Sequence, residues 1–384
     1  MLAPAQNITI ERQPLAGLGD IVAPWRRLAE RAAEPNVFYT PDFALAAAPA
    51  LGRDVETILA WSEKRQLLGL LPFRPMSRRY GVKLPMLVGW THPFAPLGTP
   101  LIDRDATAEV AAAFVGHIAG DASLPKLMLL PLLPDAGPVA RALRGAAENH
   151  GGTHRAFGQH RRAALDLAAG RPRDLDEVIG AKRMREARRL RRRLGEVGQV
   201  EFAVARYPET IAQALQRFLA LESQGWKGAA GTALIQSDAH RRFAEAALDA
   251  LAGRSAAMVA ELSLDGRGIA SVILLRSHDR AWSWKMAYDE GIARFSPGLQ
   301  AMTDLTAALL ADESIRFADS CAVPDHPLMD HLWRDRLAMA DVMIALGPGA
   351  SFARACRLET MRRDAVAAAR RMRDVLRRAT AFRS

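Results

Sequence analysis

The sequence predicts an α/β chain with mixed sheets in two domains, and three observations carry that prediction. Short apolar runs of period two recur along the chain between segments of helical spacing, so strands and helices are interleaved rather than segregated. At 384 residues the chain is long enough for two domains of ~100–200 residues. The third observation is positions 281–322, where strand, tight loop, helix and second strand follow one another as a βαβ unit. Trp282, Trp284, Met286 and Tyr288 alternate there with Ser283, Lys285, Ala287 and Asp289, and Leu299, Met302, Leu305 and Leu309 fall on one helical face.

The expected elements begin with a strand at 8–11, a helix at 25–32 and a helix from Pro41, with Thr40 as N-cap. Runs at 57–61 and 67–73 around a polar turn read as a hairpin, and helices near 106–119 and 138–149 bracket a strand at 126–130. No loop in this first domain, 1–168, joins glycine to a helix start after a strand in the manner of Gly298, so no anion site of that kind is expected there. A basic linker helix spans 171–194, with Met184, Ala187, Leu190 and Leu194 on a narrow apolar stripe. The second domain, 169–349, continues with a strand at 200–205 and a helix at 208–224. It then has a hairpin about Asp265-Gly266, which pairs with 281–288 as a meander. A final helix, 350–384, follows Gly347-Pro348-Gly349. Its seam of Leu358, Met361, Ala365, Ala368, Met372 and Val375 fits docking on the body or a homodimer, and peripheral membrane contact less well.

Composition is globular, 49% apolar and 24% charged. The net charge of +10 is local: 171–193 hold ten Arg and Lys against four acids, and 352–384 hold ten Arg against three. The remainder of the chain is acidic, so basicity describes two helices and not the fold. No aromatic platform interleaves with these arginines, and no nucleic-acid partner is expected. Cys321 and Cys356 are too few for a disulfide framework, which fits a reducing, cytoplasmic setting; His326 and His331 lack further ligands, so no metal is expected. Residues 1–6 show no leader pattern, and the apolar runs at 67–73 and 127–133 are too short to span a bilayer.

The loop Arg294-Phe295-Ser296-Pro297-Gly298 delivers the chain to a helix N-terminus, whose unpaired N–H groups favour an anion, with Gly298 free to take positive φ. For general acid–base work the titratable candidates near the strand ends are Asp319, Asp325, His326, Tyr288 and Glu222. His326 is the expected base because its reference pKa of ~6.5 lies near neutrality, with Asp319 orienting it. Cys321 is read as a small buried residue rather than a nucleophile. The glycines around Trp226 point to a loop that presents the indole, although a core position is the plainer expectation for a lone tryptophan.

The order of Arg188–Leu194, Gly225-Trp226-Lys227-Gly228, Asp265-Gly266-Arg267, Ala287-Tyr288-Asp289, Phe295-Ser296-Pro297-Gly298 and Asp319 resembles the acyl-CoA-binding half of GNAT acyltransferases. The match is to the BioF-like or cellulose-biosynthesis (CelD-type) acetyltransferase domain. Arg294 stands one residue further from Gly298 than in the superfamily's usual phosphate loop. The resemblance implies two tandem GNAT-like domains and an acyl-CoA, above all acetyl-CoA, as co-substrate. It places Met286, Ala287, Arg294, Ser296, Gly298, Leu299 and Gln300 at the donor. Glu222, Trp226, Lys227 and Asp325 fall at a small, sugar-like or lipid-like acceptor, and His326, Asp319 and Tyr288 at the chemistry. The alternatives are a Fem-type aminoacyltransferase using aminoacyl-tRNA, and a binding module for anionic polymer or membrane.

Overall fold

The computed structural model describes residues 7–168, 170–347 and 351–381. Residues 1–6 and the Pro348-Gly349 part of the linker lie outside them, as does the side chain of Val375. The first half runs β1 (Ile8–Pro14), α1 (Val22–Arg31), α2 (Pro41–Leu51), β2 (Glu56–Ser62), β3 (Leu67–Arg79), β4 (Val82–Gly89), β5 (Leu101–Ile102), α3 (Thr107–Gly120), β6 (Leu127–Pro134), α4 (Pro138–Asn149) and β7 (Thr153–Asp166). The second half begins with α5 (Leu175–Ile179), α6 (Ala181–Gly195), β8 (Val200–Ala205), α7 (Pro208–Gln224), α8 (Trp226–Ala229), α9 (Asp238–Ala252), β9 (Ala257–Leu264) and β10 (Arg267–Ser277). It ends with β11 (Arg280–Tyr288), α10 (Pro297–Ala311), β12 (Phe317–Asp319), α11 (Met329–Leu332), β13 (Asp335–Ala345) and α12 (Ser351–Ala381).

The strands form one sheet in the order β1-β2-β3-β4-β6-β13-β7-β12-β11-β10-β9-β8, with β5 on β3. The same series occurs twice. β1 to β4 make an antiparallel meander and β6 lies parallel to β4; β8 to β11 make a second meander and β12 lies parallel to β11. The last strand of each half then crosses over, β13 onto β6 and β7 onto β12, and the two run antiparallel to each other at the centre. The exchange covers the strand edges that two separate sheets would expose. It makes the halves one folding object.

A shared core reinforces this. Phe43 of α2 meets Phe243 of α9 edge to face at 5.3 Å and Trp284 of β11 at 5.8 Å, and Phe38 meets Trp282 at 6.2 Å. Such pairs add about 0.5–1.5 kcal/mol each beyond their area burial. The Asp265-Gly266 hairpin turn forms as the dipeptide predicts, with φ of 49° and 76°, the signs a type I′ turn requires.

One expectation is corrected and two are made more definite. The basic linker is not one helix: Gly180, at φ 91°, breaks it into α5 and α6, and a Cβ there would meet the Arg334 guanidinium. The second strand of the unit expected at 281–322 is β12, only Phe317–Asp319. The seam of α12 is not docked along its length. Ala355, Cys356 and Glu359 are buried, Glu359 accepting from Arg362 and Arg363, whereas Met361 and Met372 are 60% and 66% exposed.

Candidate functional site

β11 and β12 pair at only Arg280↔Phe317, Ala281↔Ala318 and Trp282↔Asp319, and then part. Asp319 fixes the vertex. Its Oδ2 accepts from Arg162 Nη1 at 2.9 Å, both side chains being about 2% exposed, and its Oδ1 accepts from the Cys321 N–H at 2.8 Å, where the chain turns away at φ 53°. Arg162 also donates to the Pro96 carbonyl at 2.9 Å, tying a first-half loop to the same point. Beyond Trp282, β11 has no strand partner on this side among the described residues, and a groove of about 900 Å³ opens.

The groove runs from that vertex to the start of α10. Ser283, Trp284, Lys285, Met286 and Tyr288 of β11 line one wall, and Ser320 to Val323 with His326 to Met329 the other. Phe94 of the first half lines it as well, its carbonyl accepting from Trp284 Nε1 at 2.8 Å. At the far end stand Ser296, Pro297, Gly298 and Leu299. Here Ser296, not Gly298, takes the left-handed conformation, at φ 49° and ψ 57°, and Pro297 starts the helix. Gly298 lies in the first helical turn, where a Cβ would stand 3.3 Å from Tyr288 Cδ1 and 3.5 Å from the Met286 sulfur. Glycine lets helix and strand close up, and the first turn of α10, where a helix leaves N–H groups without intrahelical partners, lines the groove's end.

Other expected donor residues divide. Arg294 stacks on Phe295 at 4.8 Å and stays outside the groove lining, and Gln300 is buried, donating to the Phe295 carbonyl at 2.8 Å. Met286 offers its carbonyl to Lys227 Nζ at 3.1 Å, and Ala287 lines a small side cavity with Glu222, Trp226 and Glu290. Trp226, at the start of the short α8, is 58% exposed, so it presents its ring instead of joining the core.

Glu222 is 2% exposed and forms the polar floor. It accepts from Lys285 Nζ at 2.8 Å, Lys227 Nζ at 3.1 Å and the Leu234 N–H at 2.9 Å. Burial opposes its ionisation, but Lys285 and then Lys227 outweigh burial and hold it below the usual carboxylate range. Burial draws Lys285 below the ordinary lysine value despite Glu222. Lys285 escapes a sequence reading because it looks like the solvent face of an alternating strand; a lysine among tryptophans and a methionine is the signal that marks it.

His326 lines the groove, and its Nδ1 accepts from the Leu328 and Met329 N–H groups at 3.3 and 3.2 Å. Those bonds place the neutral ring's proton on Nε2, and burial lowers its pKa from the ordinary 6.5. Asp319 does not touch His326, being held by Arg162; Asp325 is exposed at φ 59° outside the lining; Tyr288 stands at the α10 end. Burial, and then Asp319, hold the Cys321 thiol well above its ordinary range.

Two neighbouring features complete the surroundings. Of the arginines on α6, Arg188 pairs with Asp176, Arg189 with Glu186 and Arg191 with Asp304, while Arg183 lines the groove. In the first half β4 and β6 part after Leu87↔Met128 and Val88↔Leu129, but that opening is filled: Gly98 donates to the Leu132 carbonyl, and a Cβ on it would run into the Pro131 carbonyl. Among the described residues no cluster of His, Cys, Asp or Glu is placed to hold a metal ion, and no helix is long and apolar enough to cross a membrane.

Residues 181–323 match the family described as acetyltransferase (GNAT) domain. No curated protein matches the chain. Among solved structures it is similar to the C-terminal domain of a putative lysylphosphatidylglycerol synthetase from Agrobacterium fabrum, with TM-score 0.55 and 13% identity over 89% of this chain and 96% of that one. L-PGS from Bacillus licheniformis gives TM-score 0.52 and 13% identity over 89% and 96%, and FemX gives 0.54 and 10% over 83% and 95%. At these identities the likeness is one of fold. The family match thus falls on the half that carries most of the groove, residues 181–323, and the strand series of that half, repeated in the first, is a fold the chain shares with these structures.

Proposed function

We propose that this protein transfers an acyl group from an acyl-CoA thioester, acetyl-CoA above all, to an amine or hydroxyl of an acceptor held in the groove between the halves. The observation that carries this reading is the parting of β11 from β12 after three residue pairs, with the start of α10 at the open end. An extended thioester arm fits beside the unpaired edge of β11, taking the place of a strand, and its pyrophosphate meets the first-turn N–H groups of α10 beside Ser296 and Gly298. The thioester then lies toward Ser283, Cys321 and His326. His326, expected as the base, has Nδ1 occupied and Nε2 protonated in its neutral form, so it instead donates a hydrogen bond to the oxyanion that forms when the acceptor attacks. The acceptor's proton passes to water, and collapse of the oxyanion breaks the C–S bond and expels CoA, which leaves as the thiol. Asp319 and Arg162 hold the vertex, and Tyr288 shapes the phosphate end.

Calorimetry with acetyl-CoA tests the donor: a one-to-one isotherm with micromolar affinity is expected. The basic α6 beside the groove favours a second reading, in which an aminoacyl-tRNA is the donor, with arginines on its phosphates. Binding of charged tRNA with no heat from acetyl-CoA would replace the first reading by the second. His326→Ala should keep donor affinity and lower turnover roughly 10²-fold, the scale of losing one oxyanion donor. Protonation leaves the Nε2–H in place but breaks the two bonds that Nδ1 accepts, and burial lowers the pKa, so wild-type turnover should stay level through pH 7 and change only at more acid pH. Unchanged turnover in the variant would remove His326 from the chemistry.

A further inference from the structure

The groove has a one-sided charge. Among the described residues its lining includes Arg183, Lys227 and Lys285 and no aspartate or glutamate. The two acids of the adjoining side cavity are engaged, Glu290 accepting from the Trp226 N–H at 2.8 Å and Glu222 from both lysines. Among the described residues Glu222 is the one carboxylate in salt-bridge contact with the two ammonium groups, Glu290 being turned onto the Trp226 N–H, so this contact group carries a net positive charge. It is not at the surface, since the Lys285 side chain is 10% exposed and that of Lys227 23%, and Lys285 lies 5.1 Å over the Phe94 ring. A charge held in such a place interacts more strongly than one in water and attracts a counter-ion. The lysines are also fixed in place: Glu222 holds both, and the Met286 carbonyl holds Lys227 a second time.

We propose that Lys227 and Lys285 form an anion subsite in the acceptor end of the groove, and that the acceptor carries a carboxylate or phosphate that docks there while its amine or hydroxyl reaches the thioester. The exposed Trp226 ring and Phe94 flank the subsite and offer a face to the apolar or ring portion of the same molecule. This inference rests on the acyltransferase reading for what the groove binds, but the anion site is testable without it.

The test uses the full chain and no acyl-CoA. Trace labelling of lysines with acetic anhydride, read residue by residue by peptide mass spectrometry, is run in chloride, in inorganic phosphate and in acetate at equal ionic strength. Phosphate, acetate or both should slow labelling of Lys227 and Lys285 about threefold or more at saturation, while exposed Lys64 and Lys83 label at the same rate in every salt. Protection by phosphate alone assigns a phosphorylated acceptor, and protection by acetate alone a carboxylate. Lys285→Met should abolish the protection of Lys227, and Lys227→Met that of Lys285, so one poorly folding variant does not close the test. Equal labelling in all three salts, or protection spread over all lysines, overturns the subsite. Failure of acetyl-CoA to bind would instead sink the donor reading and leave these protection data standing.

Discussion

Gly298→Glu is expected to abolish donor binding while leaving the fold intact. A side chain at this position must pass between Tyr288 and the Met286 sulfur, which need yield only a few tenths of an ångström, since a Cβ would stand 3.3 and 3.5 Å from them. A glutamate in the first turn of a helix is favourable to the helix itself. Its carboxylate, however, competes with the donor pyrophosphate for the N–H groups of α10 and repels it. The dissociation constant of acetyl-CoA should rise at least about 100-fold, or about 2.7 kcal/mol, whereas Gly298→Ala should cost far less. A folded glutamate variant with unaltered affinity would place the donor elsewhere.

Arg162→Met should give the largest loss of stability. Arg162 and Asp319 are each about 2% exposed, and removing one partner leaves the other charge buried without compensation, which costs about 3–5 kcal/mol. The same change releases the Pro96 carbonyl, so the loop that brings Phe94 to the groove loosens along with the vertex. Urea denaturation should register the full loss, and Arg162→Met combined with Asp319→Leu should recover part of it, because no charge is then stranded. A loss under about 1 kcal/mol in the single variant would mean that water reaches the pair.

Local features of this architecture were legible in the sequence, and pairings between distant positions were not. The aromatic alternation of 282–288, the Asp-Gly turn and the helical spacing after Gly298 each depend on neighbours within a few residues, and each forms as expected. The crossing of β7 and β13 between halves is different in kind: alternation marks a strand but says nothing of its partner, and β13 finds β6 about two hundred positions back. Site roles follow the same division. Glu222, Lys227 and His326 were visible as polar residues at element ends, but Arg162 on Asp319 and Lys285 on Glu222 join positions 157 and 63 apart. Asp319, a candidate base by sequence, is thereby held at the vertex by Arg162. At the loop, glycine's tolerance of positive φ pointed to Gly298, whereas the chain puts Ser296 in that conformation and uses Gly298 for close packing.

Whether the opening between β11 and β12 is the donor site is tested most directly by a crystal structure of the protein with CoA. The pantetheine arm should be hydrogen-bonded to the β11 backbone between Trp284 and Ala287, with the pyrophosphate at the N-terminus of α10. A CoA bound elsewhere, or a groove left empty at saturating CoA, would contradict the assignment.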